Sequence, residues 1–145
     1  MAASDRTQWL ARRREEMVRR QIAARGIDDP RVLAAFREVP REIFVPDGMA
    51  EFAYEDSALP IAEGQTISQP FIVASMIEAA AIEPGDRVLE VGAGSGYAAA
   101  VLSRLAKEVF AIERHKALAD AAELRLARLG YAARRQAPAR VLTLP

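Results

Sequence analysis

The chain has 145 residues, 51% of them hydrophobic and 28% charged, with 20 basic side chains against 20 acidic ones. This is the make-up of one soluble globular domain or part of one, and zero net charge gives no reason to expect nucleic acid or an anionic membrane as a partner. With no cysteine and a single histidine, His115, disulfides, thiolate nucleophiles and Cys- or His-rich metal sites are excluded, and no metal is expected.

The opening residues, Met1 to Trp9, hold no apolar stretch long enough for a secretory signal. No run approaches the roughly 20 apolar residues of a membrane span, so a cytoplasmic location is the default expectation. A charged helix is predicted from about Asp5 to Ala24, with Trp9, Leu10, Met17, Val18 and Ile22 on its apolar side. Glu15 precedes Arg19 and Glu16 precedes Arg20 at the four-residue spacing that supports a helix. The basic run Arg12 to Arg14 is followed at once by two glutamates, which favours a solvated face over a nucleic-acid patch. Gly26 ends this helix. Asp28 is a candidate cap for a second helix with Pro30 in its first turn and Val32, Leu33 and Phe36 on one face.

Pro40, Pro46 and Gly48 then break the chain, and a short extended piece is expected within Tyr54 to Ile61. The polar loop Gly64-Gln65-Thr66-Ile67-Ser68-Gln69-Pro70 leads into an apolar helix over about 70–81, with Phe71, Val73, Met76, Ile77 and Ala80 available for burial. From Pro84 the pattern becomes α/β. Arg87 to Val91 reads as a strand and Tyr97 to Lys107 as a helix exposing few charges. Glu108 to Glu113 reads as a second strand, and His115 to Leu129 as a helix ending at Gly130. Strand, helix, strand, helix implies a parallel pair joined by a right-handed crossover.

Gly92-Ala93-Gly94-Ser95-Gly96 forms the turn between the first of these strands and its helix. Glycine permits torsions that a side chain forbids, and it lets a ligand approach the backbone near unpaired helix N-terminal amides. Glu113 lies 21 residues after Gly92, at the end of the second strand. That is the place of the acidic residue that accepts hydrogen bonds from ribose hydroxyls in nucleotide-binding α/β folds. A tight structural turn and a solvated strand end are the plainer alternatives. The dinucleotide fingerprint requires a sixth-position glycine, where this chain has Tyr97. The pattern therefore suits a methyltransferase better than a dehydrogenase. Glu90, just before the turn, would attract the cationic S-adenosylmethionine and repel a pyrophosphate, unless it merely pairs with Arg87. His115 is read as structural or adenine-adjacent, with structure preferred.

Three stretches carry a resemblance to the protein-L-isoaspartate O-methyltransferase family, running from about Met17 to Tyr131. Tyr54 to Ile61 with Gly64 to Pro70 is similar to the family's signature loop, and Val88 to Tyr97 to its cofactor motif. Ala111-Ile112-Glu113-Arg114 is similar to its second-strand motif, and Val39 to Pro46 to its approach to the loop. The resemblance implies a class I S-adenosylmethionine-dependent methyltransferase fold, Rossmann-like, made of N-terminal helices and the first β-α-β-α units of the sheet. Residues 1–83 would form the N-terminal helical region with the substrate and active-site loop at 64–70, and 84–131 the first half of the cofactor-binding domain. It further implies Ser68 as the catalytic residue, Thr66, Ile67 and Gln69 as substrate-binding, and Glu90, Gly92, Ala93, Gly94, Ser95, Gly96 and Glu113 as cofactor-binding. The implied partners are peptides and proteins with isoaspartyl residues, whose free carboxylate is methylated to begin repair. That carboxylate, with a pKa near roughly 3.9, is already ionised at neutral pH and needs no base, which agrees with one histidine and no cysteine. Without the resemblance, Thr66 and Ser68 would be read as helix caps ahead of Pro70.

The resemblance stops after Tyr131. The tail 132–145 begins Ala132-Ala133-Arg134-Arg135-Gln136-Ala137-Pro138, and no acidic residue follows Glu123. It is expected to be an atypical, truncated or frameshifted end without the family's third strand, leaving the activity of the chain in doubt. The alternatives are a non-catalytic fragment that needs a partner to supply strands, and a nucleotide-dependent oxidoreductase.

Overall fold

The computed structural model describes residues 2–131 and 139–144. Helix α1 (Ala3–Glu16) buries none of its residues. The apolar side expected of this segment lies in its continuation, a π-helical stretch Met17–Ile22 whose Met17, Val18 and Ile22 are fully buried. A short 3-10 turn follows, and the segment ends at Gly26 with φ 100°, a left-handed residue that halts a helix cheaply. Of the two expected helix-supporting ion pairs, Arg20 meets Glu16 at 3.6 Å, but Glu15 reaches across to Arg37 instead. Helix α2 (Pro30–Glu38) is capped by Asp29 rather than Asp28, the Asp29 carboxylate accepting from the Arg31 N–H at 2.8 Å. The Asp28 N–H donates to Glu78, so one residue of register separates the cap from the expectation.

The extended piece is a two-stranded antiparallel ribbon, β1 (Leu59–Pro60) against β2 (Thr66–Ile67). Helix α3 (Pro70–Ala79) starts directly behind it. Val73, Ala74 and Ile77 of α3 are buried, but Met76 is 71% exposed, against the expectation for its apolar face. The main sheet contains β3 (Arg87–Val91), β4 (Glu108–Glu113) and β5 (Ala139–Thr143), parallel in the order β3-β4-β5. Helix α4 (Tyr97–Leu102) connects β3 to β4, and α5 (Lys116–Arg128) follows β4. α4 is shorter than expected yet almost wholly buried, as its lack of charge implied.

β5 corrects the reading of the tail. Ala139 and Val141 are buried while Arg140, Leu142 and Thr143 are exposed. That alternation marks a half-buried strand, and it pairs in register from Val109↔Ala139 to Glu113↔Thr143. The rest of the supposed atypical tail, 132–138 and 145, lies outside the described residues. On the other side, β3 has no strand partner among the described residues. Its Leu89 and Val91 are 62% and 75% exposed. Together with Ile72 and Met76 of α3 they flank an open apolar cleft of about 430 Å³.

Candidate functional site

Parallel pairing of β3 with β4 sets Val91 beside Ile112. The glycine turn and Glu113 therefore emerge together at the carboxyl edge of the sheet, where ligands bind in open α/β folds. The turn is fastened to β4 by the Gly92 and Ala93 N–H groups, which donate to the Ile112 carbonyl at 2.8 and 3.0 Å. Gly92, Gly94 and Gly96 all have positive φ, at 88°, 54° and 89°. The three glycines do different work. A Cβ on Gly92 would meet nothing within 4 Å, so that position opens to space for a ligand. A Cβ on Gly96 would come within 3.2 Å of the Ala122 Cβ, so this glycine permits close approach of α5. Ala93 and Ser95 are buried, and Ser95 Oγ accepts from the Tyr97 N–H.

Glu113 is buried, 6% exposed. One of its oxygens accepts from the Gly94 N–H and the other from the His115 N–H, each at 2.9 Å. Burial alone would raise its pKa, but these amides and that of Arg114 outweigh burial and hold it below the usual carboxylate range. Glu113 is thus a fixed anion that shapes the turn, with lone pairs to spare for a ligand.

Glu90 is its opposite. It does not pair with Arg87, which meets Glu108 at 2.7 Å. Its Oε2 is buried without a hydrogen-bond partner among the described residues. Burial, helped by the charge of Glu113, pushes its pKa up to about 8. The folded chain therefore holds a proton that the unfolded chain gives up near pH 4.5, so this contribution to stability is complete in acid and is lost as the pH rises toward 8. Glu90→Gln is expected to remove that loss, gaining on the order of a few kcal/mol over wild type between pH 5 and pH 9. Urea midpoints at both pH values check it, and parallel shifts in the two proteins would refute it.

The polar loop lies directly against this turn. Thr66, Ile67 and Ser68 line one small cavity of about 70 Å³ together with Glu90, Gly92, Ala93, Gly94 and Ser95. A second cavity of about 420 Å³ joins Thr66, Gly92 and Gly94 to Glu113, His115 and Leu144. Neither Thr66 nor Ser68 caps α3, whose N-cap is Gln69 without a side-chain bond. Ile67 turns its side chain into the core. Gln69 points away and donates to Asp56 at 2.6 Å. Gly96 and Gln69 are thus the two sequence-selected residues that line none of these cavities, Gly96 being taken up by helix packing and Gln69 by Asp56. Sequence reasoning missed Leu144, because the tail gave no sign of a strand. It also missed the approach of His115 Nδ1 to the Glu63 carboxylate at 3.9 Å, residues too far apart in the chain to be linked without the fold. Among the described residues no cluster suited to a metal ion occurs, and no helix is long and apolar enough to cross a membrane.

Comparison with known proteins agrees with this geometry. A family model for protein-L-isoaspartate(D-aspartate) O-methyltransferase matches residues 12–142, reaching well into β5. A protein-L-isoaspartate O-methyltransferase of Methylorubrum extorquens (strain PA1) is 66% identical over 83% of this chain and 53% of its own length. One from Methanoculleus marisnigri is 59% identical over 82% of this chain and 54% of its own length. A solved protein-L-isoaspartate O-methyltransferase superposes with a TM-score of 0.75 at 30% identity, covering 90% of this chain and 42% of that one. A Plasmodium falciparum protein solved with S-adenosyl-L-homocysteine gives the same TM-score at 22% identity, covering 62% of its own length, a likeness of fold. The chain spans about half the length of the curated relatives it matches. The parallel β3-β4-β5 sheet with its glycine turn is part of a class I methyltransferase fold, and the chain belongs to the protein-L-isoaspartate(D-aspartate) O-methyltransferase family.

Proposed function

We propose that the site transfers a methyl group from S-adenosylmethionine to the free carboxylate of an isoaspartyl residue in a damaged protein, in the cytoplasm. The observation that carries this reading is the shared cavity of the Thr66–Ser68 loop and the Glu90–Ser95 turn. The residues suit the cosubstrate, because the buried carboxyl of Glu90, held neutral by its surroundings, would ionise beside a bound cation and Glu113 keeps acceptor capacity for ribose hydroxyls. Bound there, S-adenosylmethionine would supply an electrophilic methyl on its sulfonium; the methyl–sulfur bond would break as the bond to the carboxylate oxygen forms, giving the methyl ester and the neutral thioether S-adenosylhomocysteine. Ser68 is exposed and free of capping, so its hydroxyl can donate one hydrogen bond that orients the incoming carboxylate. The ester carries methoxide, a far better leaving group than the oxygen of a free carboxylate, so the neighbouring backbone amide nitrogen attacks the ester carbonyl, methanol departs, and the resulting succinimide hydrolyses in part to aspartate. Residues 1–83 carry the acceptor side of this site and 84–131 most of the cosubstrate side.

The test is methyl transfer to an isoaspartyl peptide against its aspartyl twin, using the chain extended with the C-terminal half of the Methylorubrum relative. Transfer to both peptides alike, or to neither, would refute the reading. In that form Ser68→Ala is expected to lose about 1–3 kcal/mol of transition-state stabilisation, a fall in turnover of about 5- to 150-fold, with cosubstrate affinity unchanged. Equal rates would reduce Ser68 to part of the loop backbone. A second reading, a non-catalytic part completed by strands from elsewhere, is favoured by the exposed Leu89 and Val91 on the open side of β3.

A further inference from the structure

Arg41 is fully buried, and no carboxylate pairs with it among the described residues. Its guanidinium donates to the Ala53 carbonyl at 2.7 Å and to the Ser68 carbonyl at 2.9 Å. Its Cζ lies 4.9 Å from the centre of the Tyr97 ring, and Tyr97 is the first residue of α4 after the glycine turn. One side chain thus touches the polar loop, the segment that leads to it and the helix that opens the cosubstrate turn. A buried guanidinium is costly, and an apolar side chain of similar volume would fill the space more cheaply. Burial lowers the Arg41 pKa, and the Tyr97 side chain facing the guanidinium offsets only part of that cost. What arginine adds is shape: a flat fork that serves two carbonyls at once while its face rests on a ring. The outer side of the loop is held separately, by Gln69 on Asp56 and Asp56 on Arg25.

We propose that Arg41 is a positioning residue, fixing the backbone of Ser68 against Tyr97 so that the loop meets the glycine turn in a single register. This rests on the reading of Ser68 given above, and the experiment separates the two. Arg41→Met and Arg41→Lys are compared with wild type in the 145-residue chain by hydrogen exchange and by calorimetry with S-adenosylhomocysteine. Arg41→Met is expected to raise exchange at Ile67, Ser68 and Gln69 at least tenfold while affinity stays within about threefold. Arg41→Lys, able to serve one carbonyl but not both, is expected to fall between. In the extended form, Arg41→Met is expected to lower kcat on the order of 100-fold with little change in peptide KM. If wild type fails to methylate the peptide, the proposed activity fails, while the exchange data still judge Arg41. Unchanged loop exchange in Arg41→Met, or equal loosening of β3 and α4, overturns the proposal. If Arg41→Met does not fold, Arg41→Lys decides by the same two criteria.

Discussion

Gly94→Val is expected to weaken S-adenosylhomocysteine binding by at least about 100-fold, which calorimetry would read as no measurable heat. Two effects add. Gly94 has φ 54°, a left-handed torsion that a β-branched residue adopts only at a cost of about 1–3 kcal/mol. Relief of that strain would move the Gly94 N–H off the Glu113 carboxylate, which it meets at 2.9 Å. A hydrogen bond to a charged group is worth about 1.5–3 kcal/mol. Either route costs about 1–3 kcal/mol, and the valine methyl groups also crowd the two cavities that Gly94 lines, so the loss reaches the roughly 2.7 kcal/mol that corresponds to 100-fold in affinity. A Cβ alone fits, since its nearest neighbour would be Ile61 Cδ1 at 3.6 Å. Gly94→Ala should therefore lie between wild type and valine, and a circular dichroism melt would show that both remain folded. Valine binding as tightly as wild type, or a preference of wild type for NAD, would remove the turn from the site.

The 145-residue chain is expected to transfer methyl groups at least about 100-fold more slowly than the form extended with a relative's C-terminal half. The cause is the open side of β3. This strand carries Glu90 and leads into the glycine turn, and among the described residues it is held by β4 on one edge only. Leu89, Val91, Ile72 and Met76 stand exposed around the adjoining cleft. An unpaired strand with an apolar face is free to shift or to pair with another chain, and displacement of reacting groups by about 1 Å costs on the order of 100-fold in rate. Size-exclusion chromatography should show self-association of the shorter form that the extended one lacks. A monomeric 145-residue chain with turnover equal to the extended form would refute the argument.

The sequence by itself determined the local code. Periodicity and punctuation located α2, α3, β3, β4 and α5 within a few residues, because apolar spacing, Pro30, Pro70, Gly26 and Gly130 act over one or two turns of chain. The G-x-G-x-G run and the acidic residue 21 positions later pointed to the carboxyl edge of the sheet, where the structure brings them together, since both are tied to strand ends. Tertiary structure decided what depends on neighbours distant in sequence. It showed that Gly96 serves packing against Ala122 while Gly92 opens to space, although the two glycines look alike in the motif. It separated Glu90 from Glu113, giving one carboxylate three backbone donors and leaving the other orphaned. It recovered β5 from a tail whose composition hid a short strand with Ala139 and Val141 facing inward, a signal too short to stand without β4 beside it. Arg41 carried no sign of its role within the chain: a lone arginine between two prolines becomes a fastening for Ser68 only when folding brings Ala53, Ser68 and Tyr97 around it. Hydrogen bonds and burial are properties of surroundings, and the surroundings of a residue are fixed by the fold.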